Sequence, residues 1–259
     1  MVREELKEID RFRIRSREGV RRAAEAFRSY IESIDDLVIG ACHNVATMEP
    51  MRSQNGGLLG DEVFGWTERE RQIWVGNPKV VLDSPLISAC RYEADIFWAN
   101  TDGFHSKTTT QYLDYIDLSN FERRTGVKSA IVAPVHLPMG NIGVVFYTPR
   151  DPKRRDLSDI FDAYNDLLSM CARIFVSSYA RVQCSARDLP SRLKLSAKEV
   201  ECLQWAAYGK TDAEIGIIMS RSPSTIRFHI QNVSQKLDTV NRGQTIYKAA
   251  QLGFIGLVN

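Results

Sequence analysis

One run of residues, RSPSTIRFHIQNVSQKL, restricts the possible folds of this chain more than any other. Its apolar residues recur at the spacing i, i+4, i+7 and i+11, at Ile226, Ile230, Val233 and Leu237. This spacing predicts an amphipathic helix with one apolar face and one polar face. The polar face must meet either solvent or a polar partner.

Three further helical patterns surround this predicted helix. LSAKEVECLQWAAYG and TDAEIGIIMS each begin with Ser or Thr and carry Glu three residues later, which is the capping-box pattern, and RGQTIYKAAQLG follows on the other side. A short helix joined by a few residues to a longer one has the outline of a helix-turn-helix. We therefore predict an all-α, four-helix domain over residues 195–259.

The polar face of the long predicted helix suits the major groove of DNA. Arg can bind guanine through two hydrogen bonds, Gln and Asn can bind adenine, and Thr or Phe can contact a thymine methyl group. Basic residues around that face are suited to phosphates, which fix the register of the protein on DNA. The predicted base-reading residues are Thr225, Arg227, Phe228, Gln231 and Asn232; Lys210, Arg221, His229 and Lys236 are assigned to phosphates, and Thr211 and Ser224 to the same surface. A helical domain with a solvated polar face is the alternative.

Charge and composition agree with a DNA-binding domain behind an ordinary globular one. From Leu189 onward the chain has nine Lys and Arg against five Asp and Glu, whereas residues 1–188 have 25 against 27. A basic C-terminal region favours a polyanionic partner. We find no apolar run long enough to span a membrane and no signal-peptide pattern at the N-terminus, so we expect a cytoplasmic protein.

Motifs for catalysis, cofactors and metals are missing from the sequence. The five cysteines are widely spaced without a CxxC pair, and the four histidines are scattered. GxSxG, GxGxxG and P-loop motifs are also missing. We therefore expect neither an enzyme nor a bound cofactor or metal.

The region before the helical domain alternates helices and strands. DLVIGACHNV reads as a buried strand, and VKSAIVAPVHLP with GNIGVVFYTP as a strand pair. Helices are predicted over the first 35 residues with a break near RSREG, after DSP, over TTTQYLDYIDLSNFERRTG up to Gly126, and over RDLSDIFDAYNDLLSMCARIFVSSYARVQ. We predict an α-β-α sandwich over residues 1–183 and a linker at 184–194, and so an α+β chain of two domains.

The C-terminal motifs resemble the DNA-binding domain of the LuxR family of bacterial transcription regulators. The similar pieces are LSAKEVECL, GKTDAEI, STIRFHIQNVSQKL and NRGQTIYKAAQLGFI, in the family's order and spacing. Glu199, Leu203 and Gly209 fall on positions that the family holds almost fixed. The resemblance implies a regulator that binds double-stranded DNA as a homodimer at pseudo-palindromic promoter sites, with RNA polymerase as a further partner.

The family joins this domain to several kinds of sensor. A phosphorylated receiver domain begins with a strand followed by an acidic pair, whereas Asp35 and Asp36 precede a strand here. Residues 1–183 are similar in size and position to the acyl-homoserine-lactone-binding domain of the quorum-sensing members. The resemblance thus favours a lactone-responsive regulator; a ligand-independent member and a phosphorylation-controlled one are the alternatives.

The resemblance also suggests ligand-binding residues. The Asp83 carboxylate can accept a hydrogen bond from a ligand amide N–H, and the Trp98 indole can donate one to a lactone carbonyl. Glu70 and Ala130 stand where the family has a Tyr and a Gly. The expected ligand-binding residues are Asp83, Trp98, Trp66, Ser84 and Ala130. In the plainer interpretation Asp83 caps a helix and Trp98 belongs to the core.

Overall fold

A computed structural model describes residues 7–75, 83–108, 111–183 and 194–256. The chain divides into two compact units, residues 1–137 with 141–184 and residues 138–140 with 185–259. The predicted linker at 184–194 lies outside the described residues except for Lys194. The predicted domain limits therefore stay predictions.

An antiparallel sheet of five strands lies at the centre of the N-terminal unit, in the order β1-β5-β4-β2-β3. All six residues of β1 are buried, as are seven of the eight in β4. Continuous burial along a strand means that both faces of the sheet are covered. The strands are β1 (Leu37–Cys42), β2 (Phe97–Asn100), β3 (Phe104–Ser106), β4 (Ser129–His136) and β5 (Ile142–Pro149).

Helices cover the two faces of this sheet. On one face, α1 (Val20–Glu32) and α5 (Ser158–Gln183) share an apolar cluster with the sheet, in which the rings of Phe27 and Phe175 stack with centroids 4.9 Å apart. On the other face, residues from α2 (Glu68–Val75), α3 (Pro85–Ala89) and α4 (Phe121–Thr125) pack into a second cluster. The predicted α-β-α sandwich is confirmed.

The helix predicted to end at Gly126 is wrong over most of its length. A 3-10 turn at Leu113–Tyr115 is followed by an irregular stretch, and α4 begins only after Asn120, whose φ is 55°. The Asp117 carboxylate accepts the Ser119 N–H at 2.9 Å. Such a local side-chain bond competes with helical hydrogen bonds and interrupts the helix. Gly126 does end α4, with φ 78°.

The C-terminal unit contains the four predicted helices, α6 (Ala197–Ala207), α7 (Asp212–Met219), α8 (Pro223–Leu237) and α9 (Arg242–Gln251). Both predicted capping boxes are formed, at Ser196 with Glu199 and at Thr211 with Glu214. The helices bury a core of their own, drawn mainly from Cys202, Leu203, Ile215, Ile226, Ile230, Val233, Leu237 and Ala249. The four-helix prediction is confirmed.

Candidate nucleic-acid interface and candidate ligand cavity

The turn between α7 and α8 sets the geometry of a helix-turn-helix. Ser220 ends α7 with φ 52°, and the Arg221 N–H donates to the Gly216 carbonyl at 2.8 Å. A Cβ at Gly216 would lie 2.7 Å from the Arg221 carbonyl oxygen, so only glycine allows the chain to pass this close to α7. Ser222 then caps α8 by accepting the Thr225 N–H, and Pro223 occupies the first helical turn.

The polar face of α8 is open along its length. The Arg227 side chain is 68% exposed, and Phe228 is 58% exposed. Gln231 is also exposed, while His229 and Asn232 are half-buried. A large apolar ring held in solvent between two polar side chains is unusual for a face that only meets water.

The first turn of α8 and the residue before its N-cap extend this face. Arg221 and Ser224 are exposed, and Thr225 is half-buried. Backbone N–H groups at a helix N-terminus favour anions such as a DNA phosphate. Arg221, Ser224, Thr225, Arg227, Phe228 and Gln231 thus form one continuous surface, which we call the α8 face.

Arg242, which sequence reasoning missed, organises the side of this surface. Its Nη2 donates to the Lys210 carbonyl at 2.7 Å, and its Nη1 bonds to the Asp212 carboxylate. The other oxygen of Asp212 lies 3.4 Å from Nε of Arg227. Arg242 therefore fixes the carboxylate that orients Arg227. The predicted DNA contact Thr211 has its hydroxyl engaged in the capping box with Glu214.

Lys236, which was predicted to contact a DNA phosphate, is paired with a carboxylate of its own unit. Its Nζ lies 2.8 and 2.7 Å from the two carboxylate oxygens of Glu199, whose side chain is 5% exposed. This ion pair joins α8 to α6 inside the unit. The ammonium group stabilises a buried carboxylate, which would otherwise carry an uncompensated charge. The sequence signal was available, because Glu199 already stood at an N3 capping position.

In the N-terminal unit, a small apolar cavity lies against the sheet face covered by α2, α3 and α4. Its free volume is about 60 Å³. Two stacked indoles, Trp66 and Trp74, occupy its wall with centroids 5.3 Å apart and planes at 22°. The lining residues include Val38, Gly40, Met48, Trp66, Glu70, Ile73, Trp74, Ser84, Leu86, Ile87, Thr125, Val127, Phe146 and Thr148. We call this the Trp66–Trp74 cavity.

Two glycines make room for the indole stack. A Cβ at Gly40 in β1 would lie 2.4 Å from the Trp74 ring, and one at Gly60 would lie 2.1 Å from the Trp66 ring. The Trp66 Nε1–H donates to the Ile39 carbonyl at 2.8 Å. The tryptophans are thus held against the sheet by close backbone approach and one hydrogen bond.

The structure brings only some of the predicted ligand residues to this cavity. Trp66 and Ser84 line it. Ala130 is fully buried in the apolar cluster on the same face of the sheet but is not a lining residue. Trp98 belongs to the cluster on the opposite face and stacks on His105 with centroids 4.0 Å apart. Trp98 is not a lining residue of the Trp66–Trp74 cavity.

Asp83 also stands away from the cavity. Its side chain is 64% exposed, with Oδ1 3.4 Å from Nε of Arg124. The same Arg124 donates to the Asp83 carbonyl at 2.8 Å and the Asp117 carbonyl at 2.7 Å. Arg124 thus joins the start of α3 to the loop before α4. Ser84, not Asp83, is the N-cap residue of α3.

Trp74 and Glu70 are among the lining residues of this cavity that the sequence analysis did not single out as candidate ligand residues. They lie one turn apart on α2, and the Glu70 carboxylate accepts the Thr67 N–H at 2.7 Å. The available signal was the apolar end of the otherwise polar run ERERQIWV, which includes Ile73 and Trp74. In the described part of the chain, no group of three or more His, Cys, Asp or Glu side chains could hold a metal ion.

The C-terminal unit is a helix-turn-helix with an open α8 face, and it follows a mixed helix-and-sheet unit. Residues 193–249 match the family of bacterial regulatory proteins, luxR family, so the chain carries a DNA-binding domain of that family. The predicted resemblance is confirmed. Among the described residues, no helix combines the length and apolar character needed to cross a membrane.

Two relatives match about half of the chain. The chain is 33% identical over 133 residues to the transcriptional activator protein VanR of Vibrio anguillarum, covering 51% of this chain and 54% of VanR. It is also 33% identical over 133 residues to the quorum sensing-dependent transcriptional regulator RpaR of Rhodopseudomonas palustris, covering 51% of each. The chain thus spans about half the length of the curated relatives it matches.

The whole fold is similar to that of SdiA from Escherichia coli. Its crystal structure matches with a TM-score of 0.52 and 20% identity, covering 99% of both chains. SdiA in complex with octanoyl-rac-glycerol matches with the same TM-score, covering 97% of this chain and 95% of that one. At this identity the likeness shows the fold alone.

Proposed function

We propose that this protein is a quorum-sensing transcriptional regulator, in which an acyl-homoserine lactone bound by the N-terminal unit changes the affinity of the C-terminal unit for DNA. The observation that carries the proposal is the α8 face in a luxR-family domain. Relatives named as transcriptional activators and as a quorum sensing-dependent regulator support it. The proposal makes the protein a binding protein and not an enzyme.

At the DNA end, α8 enters the major groove and Arg227 reads a base. The neighbouring Asp212 carboxylate holds the guanidinium through a side-chain contact at 3.4 Å, leaving the rest of the group free for guanine. Phe228 lies beside it for contact with a thymine methyl. Lys210, Arg221 and Ser224 are assigned to phosphates and to the edge of the surface.

Arg227→Ala should weaken binding to the specific site by about 1–3 kcal/mol and relax base choice at one position. Gln235→Ala is the matched control, because Gln235 is an exposed residue of the same helix outside the predicted contact set. Fluorescence anisotropy on specific and random duplexes at fixed salt measures both effects. Equal losses on the two duplexes would assign Arg227 to phosphate contact instead.

At the ligand end, the Trp66–Trp74 cavity supplies apolar walls with a few polar groups, the usual character of a small-molecule site. Its 60 Å³ is far below the roughly 300 Å³ or more of a typical ligand pocket. Lactone binding therefore requires the two indole rings to move apart and enlarge the cavity. Ser84 and Glu70 lie on the cavity wall and are the proposed partners of the ligand amide, in place of the exposed Asp83.

The effector proposal is tested by measuring DNA affinity at fixed salt with and without lactones of increasing acyl length. A shift at one chain length, accompanied by a change in tryptophan fluorescence, is the expected result. Ser84→Ala should reduce the lactone response about tenfold, whereas Asp83→Ala should leave it unchanged because Asp83 contacts Arg124. Loss of response in Asp83→Ala alone would restore that residue as the ligand partner.

Two further partners follow from the proposed class. Homodimers place two α8 helices on half-sites of a pseudo-palindromic promoter about 34–36 Å apart, and RNA polymerase is the partner through which transcription changes. Light scattering with and without operator DNA tests the dimer. A 1:1 protein-to-operator complex would contradict it.

A ligand-independent regulator is the second candidate, and the filled cavity favours it. Two stacked tryptophan rings occupy space that a ligand would need. The Trp66 indole N–H already donates a hydrogen bond to the Ile39 carbonyl. Specific DNA binding that none of the lactones alters would establish this candidate.

A further inference from the structure

A second cavity lies in the N-terminal unit, where the segment after β1 meets the last turns of α5. Its volume is about 660 Å³, within the range of small-molecule sites. The residues that carry its chemistry are His43, Glu49, Arg52, Ser53, Tyr179 and Gln183. It shares no lining residue with the Trp66–Trp74 cavity.

Two buried polar atoms on this cavity wall have no partner among the described residues, the Ser53 Oγ and the His43 Nδ1. Ser53 is only 7% exposed. Both backbone hydrogen-bonding groups of Ser53 have partners, since its N–H donates to the Gly57 carbonyl at 2.8 Å and its carbonyl accepts the Gly56 N–H at 3.0 Å. Buried polar side-chain atoms in folded proteins nearly always have a partner, so these two point to a ligand.

The remaining walls are held in place. The Tyr179 hydroxyl accepts the Arg52 N–H at 2.9 Å, 127 residues away in sequence, and its ring packs on His43 with centroids 5.4 Å apart. The Arg52 guanidinium donates to the Gly56 carbonyl at 2.8 Å. The site is therefore formed before any ligand arrives, which limits the entropy lost on binding.

The charges on the wall select the ligand class. Burial lowers the pKa of His43, with Glu49 opposing that effect, so the imidazole is neutral near pH 7. The charges of Arg52 and Glu49 have opposite sign and cancel. Neutral hydroxyl, imidazole and amide groups, beside the Tyr179 ring, suit ligand hydroxyl groups better than a ligand with a net charge.

We propose that the cavity between His43, Ser53 and Tyr179 binds a small neutral polyhydroxylated molecule of about monosaccharide size. One ligand hydroxyl pairs with the Ser53 Oγ and another with the His43 Nδ1, while carbon-bound hydrogens lie against the Tyr179 ring. This site is additional to the lactone cavity and does not depend on the proposed lactone response.

The test is titration of the full-length protein, without lactone or DNA, with glycerol, D-glucose and myo-inositol, followed by calorimetry and by the histidine side-chain NMR signals. At least one of the three should bind at one site per chain with a Kd of about 1 mM or tighter and shift the His43 signals. Inorganic phosphate, the charged probe, should not saturate. The proposal is overturned when none of the three polyols binds, or when only phosphate does.

Variants locate the site. Ser53→Ala should weaken binding of that polyol about threefold to tenfold, the effect of one lost hydrogen bond. His43→Phe keeps a ring against Tyr179 but removes both ring nitrogens, and should weaken it similarly. Ser33 is an exposed serine at the end of α1, and the Ser33→Ala control should leave both the fold and the polyol affinity unchanged. Unchanged affinity in both site variants, with folding verified by circular dichroism, would place the polyol elsewhere and refute the site.

Discussion

The two units differ in the sequence separation of the residues that form their candidate sites. In the C-terminal unit, the ion pairs of Arg242 with Asp212 and of Lys236 with Glu199 join residues 30 and 37 apart in sequence. In the N-terminal unit, one cavity is lined from Val38 to Thr148, and the other depends on a hydrogen bond between residues 127 apart. Helical periodicity and capping predict the helices of the C-terminal unit, whereas the ion pairs between those helices and the cavities against the sheet depend on tertiary structure.

The largest expected effect tests whether each unit depends on its own core. Phe175→Ala removes a fully buried ring that stacks on Phe27 and meets Phe64 edge-on with centroids 6.0 Å apart. It should destabilise the N-terminal unit by about 3–5 kcal/mol. Hydrogen exchange of β4 and β5 amides should rise, while that of α8 amides stays unchanged.

Phe228→Ala is the matched control for this comparison. The ring of Phe228 is exposed on the α8 face, so its loss should change stability by less than about 0.5 kcal/mol. It should act on DNA affinity instead. Faster exchange of α8 amides in Phe175→Ala, to the same extent as in β4, would mean that the units unfold together.

The second expected effect distinguishes a structural lysine from a phosphate contact. Lys236→Ala leaves the Glu199 carboxylate buried without its ammonium partner. Removing one partner of a fully buried pair costs about 3–5 kcal/mol, and because the Lys236 side chain is 41% exposed we expect about 1–2 kcal/mol here. Thermal unfolding of the C-terminal unit measures the loss.

Lys198→Ala provides the control, since Lys198 pairs with Glu201 at 2.8 Å on the surface and should contribute less than about 1 kcal/mol. The salt dependence of DNA binding is an independent measurement. The slope of log affinity against log salt concentration should be unchanged in Lys236→Ala, because the ammonium is not assigned to phosphate. A flatter slope with unchanged stability would restore the phosphate role.

These contrasts explain what could be predicted from the sequence. The four C-terminal helices, both capping boxes and the exposed Arg227 followed from local patterns, because neighbours on a helix are neighbours in sequence. The pairing of Lys236 with Glu199 was not predicted because the two residues lie on different helices. Exposure on a predicted face does not reveal whether a charge is already paired.

In the N-terminal unit, β1, β4 and β5 were predicted from the sequence, whereas β2, β3 and the faces on which the candidate ligand residues lie were not. Trp98 and Ala130 lie on paired strands yet on opposite faces, since alternate residues of a strand point to opposite sides. The Trp66–Trp74 stack depends on Gly40 and Gly60 leaving space, which no periodic pattern indicates. The helix predicted before Gly126 failed because the Asp117 side chain competes for backbone bonds.

The smallest expected effect is a pH dependence confined to the C-terminal unit. Burial raises the pKa of Glu199, but hydrogen bonds from Lys236 and Ser196 outweigh it, so the pKa lies below its usual value of 4.5. A carboxylate with a lowered pKa in the folded state stabilises the protein fully above 4.5, and this stabilisation is lost as pH falls through the folded-state pKa. The C-terminal unit should therefore lose stability below about pH 4.5.

Lys236→Ala should lose less stability over the same pH range, because the principal group that lowers the Glu199 pKa is gone. Unfolding curves between about pH 7 and 3 compare the two proteins, and parallel losses would show that the ion pair does not control the Glu199 pKa.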